Sequence, residues 1–266
     1  MDPIVFDTPG HLQIAVTIPS GALRVETGAQ GRAELMIERI KAPKDLEIRL
    51  DDLAGGGHRL SITYKGAKFG FHDRGVELTI RCPAGTDVDM SGGAADLSIT
   101  GTVGTVDLRT GSGDLAFDEA TGRVRVKVGS GDVVGRRVGG SVSMQGASGD
   151  VRLDAVAGDL VVKTASGDVS VGALDGDALI TSISGDVELD SLREGRAQIR
   201  SVSGDVSVGV AAGADVLLDL RATSGDARSD LAMVEAPVGG GRQLELTVVT
   251  VSGDIAVRRA PAREPV

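Results

Sequence analysis

The sequence predicts an all-β protein: a single-stranded parallel β-solenoid with about 18 residues per coil and an irregular, strand-rich N-terminal cap. Three observations carry that expectation. The tripeptide Ser-Gly-Asp occurs eight times, and its first five copies begin at Ser112, Ser130, Ser148, Ser166 and Ser184, a constant interval of 18 residues. Between copies, apolar residues fall at alternate positions, which is the period of a half-buried strand. The chain is 41% hydrophobic but only 2% aromatic, so its interior must be built from Val, Leu, Ile and Ala, the residues that fill a narrow, regular core.

Taken in order, residues 11–18, 22–26, 33–40, 46–50, 59–64 and 76–81 alternate as strands, with Pro19, Pro43 and Pro83 between them or at their ends, where a residue without an N–H is tolerated. GALRVETG resembles half a coil, and residues 1–90 are read as the irregular start of the solenoid, closing an end that would otherwise invite edge association. Residues 91–111 form a degenerate coil. The regular repeat then runs to 258, and 259–266 is a charged, Pro-containing tail.

Each coil divides into two halves that both tend to open with Gly-Asp, as in SGDVRLDAVAGDLVVKTA from 148 to 165. Two strands and two turns make one coil, and stacking pairs each strand in parallel with its equivalents at about 4.8 Å. The inward column of the first strand reads Leu115, Val133, Val151, Val169, Val187, Val206. That of the second reads Val126, Met144, Val162, Ile180, Ile199, Leu220. Outward positions vary freely: Ala116, Val134, Arg152, Ser170, Glu188, Ser207. The last three tripeptides begin at Ser203, Ser224 and Ser252, after gaps of 19, 21 and 28, and are read as the same repeat continuing with insertions.

The tripeptide has a mechanical explanation. Gly supplies the positive φ of a tight corner, and Ser and Asp side chains can bond backbone N–H groups that the corner leaves unpaired. Stacking sets Asp114, Asp132, Asp150, Asp168, Asp186, Asp205, Asp226 and Asp254 in one ladder of like charges, so each must be hydrogen-bonded or face water. A calcium ladder is the sharper alternative. It is disfavoured because the glycine doublets of calcium-binding solenoid repeats are missing.

A net charge of −10 argues against nucleic acid as a partner, because phosphate binding needs clustered Lys and Arg. No run of about 18 apolar residues predicts a membrane span, and MDPIVFDTPG does not read as a secretory leader. A soluble, cytoplasmic protein is expected. Cys82 is alone, which excludes an internal disulfide. His11, His58 and His72 share no metal-ligand spacing with each other or with Cys82, Gly55-Gly56-Gly57 precedes no helix that would hold a phosphate, and the repeats contain no His for a catalytic triad. No enzyme activity, metal or cofactor is expected. The excursions at 65–75, with Phe69, Phe71 and His72, and at 229–242 are the candidate interaction loops.

The SGDV-x-V coil, together with VELTIRCPAGTDVDMSGGAADLSITG ahead of it, resembles the Toastrack (DUF4097) family of β-strand-repeat proteins, also labelled adhesins. The resemblance covers 6–257 and is most specific at PAGTDV (83–88) and the SGD ladder. It implies a β-solenoid without known catalytic residues, and in some relatives a role in envelope-stress sensing. The leading expectation is therefore a non-enzymatic scaffold or protein-interaction module with an unidentified protein partner and at most weak self-association through its ends. A bactofilin-like filament is the first competitor. A carbohydrate-binding or carbohydrate-cleaving solenoid is the second, disfavoured by the shortage of Tyr and Trp.

Overall fold

The computed structural model describes residues 3–65, 75–231 and 242–260. These are almost entirely β-strand, apart from a short 3-10 turn at Pro43–Asp45, and the coil is the expected parallel β-solenoid. The chain divides into two compact units, Met1–Gly139 and Gly140–Val266.

In the first unit the strands are β1 (Ile4–Asp7), β2 (Leu12–Thr27), β3 (Arg32–Arg39), β4 (Leu46–Asp52), β5 (His58–Tyr64), β6 (Val76–Cys82), β7 (Asp87–Val103), β8 (Val106–Ser112), β9 (Leu115–Ala120), β10 (Val124–Ser130) and β11 (Val133–Val138). They form two ladders. One runs β4, β5, the first half of β2, the first half of β7, β8, β10. The other runs β1, β3, β6, the second half of β2, the second half of β7, β9, β11. Pairing is parallel except for β4–β5, β3–β6 and β1–β3, which are antiparallel and belong to the cap.

The stretches 11–18 and 22–26, expected as separate strands, form the single strand β2, and Pro19 lies inside it rather than between strands. The register with β7 runs from Ile18↔Gly92 to Ser20↔Ala94 and passes over Pro19, which has no N–H to give the ladder. Alternation sets the buried side: Leu12, Ile14, Val16, Ile18, Leu23 and Val25 are all inside.

In the second unit the strands are β12 (Val142–Ser148), β13 (Val151–Val156), β14 (Leu160–Ser166), β15 (Val169–Leu174), β16 (Ala178–Ser184), β17 (Val187–Leu192), β18 (Gly195–Ser203), β19 (Val206–Val210), β20 (Ala214–Ser224), β21 (Ala227–Ser229), β22 (Arg242–Ser252) and β23 (Ile255–Arg259). All pair in parallel. One ladder runs β12, β14, β16, β18, β22, β20, and the other β13, β15, β17, β19, β23, β21. The inward columns are closed: Val162, Ile180, Ile199, Leu246 and Val248 are essentially inaccessible. Each such side chain contributes about 1.5–3 kcal/mol of burial.

The coils do not stack in chain order, which corrects the reading of the last three tripeptides. The final coil, β22–β23, sits between β18–β19 and β20–β21, so Ile199 is followed in its column by Val248 and only then by Leu220. Leu220 is half-buried because it belongs to the outermost rung. Ser203 and Ser252 are register partners 49 residues apart. Taking out the 31 residues 211–241 would leave them 18 apart, so the gaps of 21 and 28 together are one ordinary coil plus one insertion, whose strands β20 and β21 form the end rung.

The first unit follows the same plan. β2 and β7 are register partners at an offset of 74, as at Thr17↔Ser91, and omitting the 56 residues 28–83 would restore 18. That insertion supplies β5 and β6, which lie outside β2. In both units a terminal segment of chain is thereby tucked one rung in, and an insertion covers it.

Candidate functional site

The Ser-Gly-Asp corners form the most regular constellation in the molecule. Each corner glycine has a positive φ, from +116° at Gly167 to +146° at Gly131. A β-carbon on Gly167 would stand 2.1 Å from the carbonyl oxygen of Gly149, one rung below. No other residue type fits a corner whose backbone packs directly on the next.

The aspartates link rungs. In the first unit the backbone N–H of Asp114 donates to Asp96 Oδ1 at 3.0 Å, and that of Asp132 to Asp114 Oδ1 at 2.8 Å. In the second unit Asp168 donates to Asp150 Oδ1, Asp186 to Asp168, Asp205 to Asp186, Asp254 to Asp205 and Asp226 to Asp254, all at 2.8–2.9 Å. This ladder follows the spatial order of the rungs rather than chain order. The carboxylates are exposed, so water screens their mutual repulsion, while one oxygen of each accepting aspartate in these pairs caps the next corner; Asp226, on the end rung, instead accepts from Arg228. The serines differ from expectation: among the described residues their hydroxyls make no hydrogen bond. The second corner repeats the device through Asp159, Asp177 and the N–H of Arg196.

This assigns the ladder a structural job and yields a test. Asp168→Asn keeps the acceptor for Asp186 and deletes one stacked charge, so thermal melting at low salt should be unchanged or raised. Asp168→Ala removes the acceptor and should cost about 1 kcal/mol. Equal melting of the two variants would remove the bond from the account. Among the described residues no three His, Cys, Asp or Glu side chains converge in a way that could hold a metal ion.

A second column was not anticipated. Two residues before the tripeptide serine, Thr110, Thr164, Ser182, Ser201 and Thr250 point inward and are buried. Thr110, Thr164 and Ser182 donate to the carbonyl of the serine two residues on, at 2.7, 3.0 and 3.2 Å. Among the described residues Ser201 Oγ and Thr250 Oγ1 have no hydrogen-bond partner. The signal was legible as Thr or Ser where Val128 stands in the parallel coil, but alternation alone marks such a position only as inward. Thr250→Val should raise stability by about 1 kcal/mol, since it replaces an unsatisfied buried hydroxyl with an isosteric methyl group. A lowered denaturation midpoint would contradict this.

Between these hydroxyls and the corners runs an apolar row facing outward. Ile183, Val202 and Val251 occupy successive rungs and are 53%, 48% and 49% exposed. The half-buried Val161, Leu179 and Val249 share the outer side of the same ladder. Lys163 and Arg200 stand among them, with no ion-pair partner among the described residues. Other arginines on the surface are paired while remaining exposed: Arg258 meets Glu188 at 3.0 Å and Asp190 at 3.5 Å, and Arg136 and Arg137 approach Asp118 and Glu119.

His11 and His58 fall at corners of the first unit. Asp87 accepts from His11 Nε2 at 2.9 Å and from Thr105 N and Oγ1 at 2.7 and 2.8 Å, while His58 Nδ1 lies 3.0 Å from Asp52. Asp87 thus holds His11 and Thr105 together. Phe69, Phe71 and His72 lie outside the described residues, as does most of 229–242. Cys82 is fully buried, and burial pushes its thiol from an ordinary value near 9 up to about 11, opposed weakly by a hydrogen bond with Thr86. The folded state therefore holds the thiol proton more tightly than the unfolded state. The resulting stability is complete below about pH 9 and is lost as pH rises through about 11. A Cys82→Ala variant should lack that component of alkaline destabilisation, and native Cys82 should react with thiol reagents at pH 8 only after unfolding. Rapid native labelling would refute this.

A family model described as Toastrack DUF4097 matches residues 51–258. No curated protein matches the chain in sequence. Solved structures similar to it include one from Bacteroides fragilis described as a putative adhesin, 11% identical, with a TM-score of 0.45 over 96% of this chain and 95% of that one. Another, from Parabacteroides distasonis, is described as a putative lipid binding protein and is 15% identical, with a TM-score of 0.41 over 96% of each chain. Among the described residues no helix is long and apolar enough to cross a membrane.

Proposed function

The chain belongs to the Toastrack DUF4097 family, and from that premise we propose that it is a non-enzymatic solenoid scaffold that binds another protein across the outer side of the β14–β16–β18–β22 ladder. The observation that carries this reading is the exposed row of Ile183, Val202 and Val251. Contiguous apolar surface on a soluble domain marks a place where something docks. The chemistry of the partner follows from the unpaired Lys163 and Arg200 beside that row: an apolar surface bearing acidic side chains. The corner aspartates are occupied in joining rungs, which supports a binding role over catalysis. A cytoplasmic location, and a link to envelope-stress sensing through the family, belong to the same proposal. Cell fractionation tests the location.

The test is co-purification from the source cell with the intact protein, with Ile183→Asp/Val202→Asp, and with Phe69→Ser/Phe71→Ser. The first variant should lose the specific partner while its melting temperature stays close to wild type, because exposed substitutions shift stability by about 0.5 kcal/mol or less. If the first variant retains every partner and the second loses one, binding resides in the 65–75 loop and the face is wrongly assigned.

A further inference from the structure

β20 is the outermost strand of its ladder. β22 pairs with one of its edges from Ala214 to Ser224, and among the described residues no strand pairs with the other. An open edge is a template for another strand, and proteins usually blunt it with Pro, Lys, a bulge or shortness. β20 has no Pro, Lys or bulge and is 11 residues long, ADVLLDLRATS, with an unbroken register to β22, and its charges Asp215, Asp219 and Arg221 are of both signs, so they guard the edge only against a partner that does not match them. Val216, Leu218 and Leu220 are only half-buried, whereas their register partners Leu244, Leu246 and Val248 are inaccessible, and Leu217 is 69% exposed.

We infer that this edge pairs with the same edge of a second copy of the chain, antiparallel, about a two-fold axis at Leu218. The register carries the argument. Side chains alternate, so only registers centred on a residue keep inward positions opposite inward positions. Centred on Leu218, Val216 faces Leu220 and Ala214 faces Ala222 on the inner side, and on the outer side Asp215 faces Arg221 on each flank of the axis. Centring on Leu217 would set Asp215 against Asp219, and centring on Asp219 would set Asp219 against its own copy, whereas the Leu218 register brings no like charges together and leaves only Leu217 against Asp219. Within one copy Arg221 is held by Asp219 of its own strand at 2.9 Å, and Asp215 has no ion-pair partner among the described residues. A self-complementary edge makes a closed pair and leaves no free copy of itself, so the product is a dimer rather than a filament.

Sedimentation velocity on the full chain over roughly a hundredfold concentration range tests this. Wild type should dimerise. Asp215→Arg and Arg221→Asp should each weaken self-association at least about tenfold, because each sets like charges opposite one another twice. The double variant D215R/R221D should restore it, and circular dichroism should show all three variants folded. A wild type that stays monomeric overturns the inference. So do single variants that dimerise like wild type, or a double variant that fails to recover. None of these outcomes depends on the Ile183 face, since the exchanged charges lie on β20 alone.

Discussion

Gly167→Ala should be among the most damaging single substitutions in the second unit, although it adds one methyl group. Its backbone has φ +116°, and the new β-carbon would stand 2.1 Å from the carbonyl oxygen of Gly149. A strained backbone costs about 1–3 kcal/mol, and forcing apart packed backbone costs about 1–3 kcal/mol more. The combined loss is a large part of the roughly 5–15 kcal/mol that holds a domain together. Melting should fall by roughly 10 °C. Ser166→Ala, at the exposed neighbour whose hydroxyl bonds nothing, should change it little. Similar melting for the two variants would show that the corners are not packed rung on rung.

The second large effect contrasts two deletions. Removing residues 242–266 looks from the sequence like trimming the last coil, but it takes out an interior rung with Leu244, Leu246, Val248, Ile255 and Val257, all buried. Even if β20 redocks onto β18, one rung of burial is gone, and at about 1.5–3 kcal/mol per side chain the gross loss rivals the stability of the unit. Excising 211–241 should be far milder. It joins Val210 to Arg242, restores the interval of 18 between the flanking tripeptides, and among the described strands removes β20 and β21, whose residues are half-buried or exposed apart from Ala214. Chemical denaturation of the two variants checks this: the excision should keep a cooperative transition and the truncation should lose it or shift it strongly downward. The reverse order would mean that β20–β21, not β22–β23, is the interior rung.

These two cases show what was legible in the sequence. The tripeptide interval and the inward columns identify the coil, because every regular rung repeats one local solution: Gly at a positive φ, Asp at a corner, Val or Ile inside. Chain order is a different kind of information. A strand such as 214–224 alternates equally well beside Ile199 or beside Val248, so nothing local distinguishes stacking in order from insertion. The clue was arithmetic, in two irregular gaps that make one coil only when taken together. Pro19 was misplaced for a related reason: a corner within a continuous strand and a gap between two strands look alike when only φ and a missing N–H are considered. The candidate site was less visible. Ile183, Val202 and Val251 stand out only once stacking brings them into one row, and the tripeptide serines drew a role that only the aspartates fill.

The placement of β22–β23 also sets a timetable. Chains emerge from the ribosome N-terminus first. In the first unit β5 and β6 can settle onto β2 as soon as they are made, because their partner precedes them. In the second, β20 and β21 emerge before the strands they rest on, and must wait until the final coil has left the exit tunnel. Residues 242–259, made after β20 and β21, are thus the ones that admit the end rung to the fold, and a chain stalled or clipped before them would leave a long apolar strand waiting for a neighbour that never arrives.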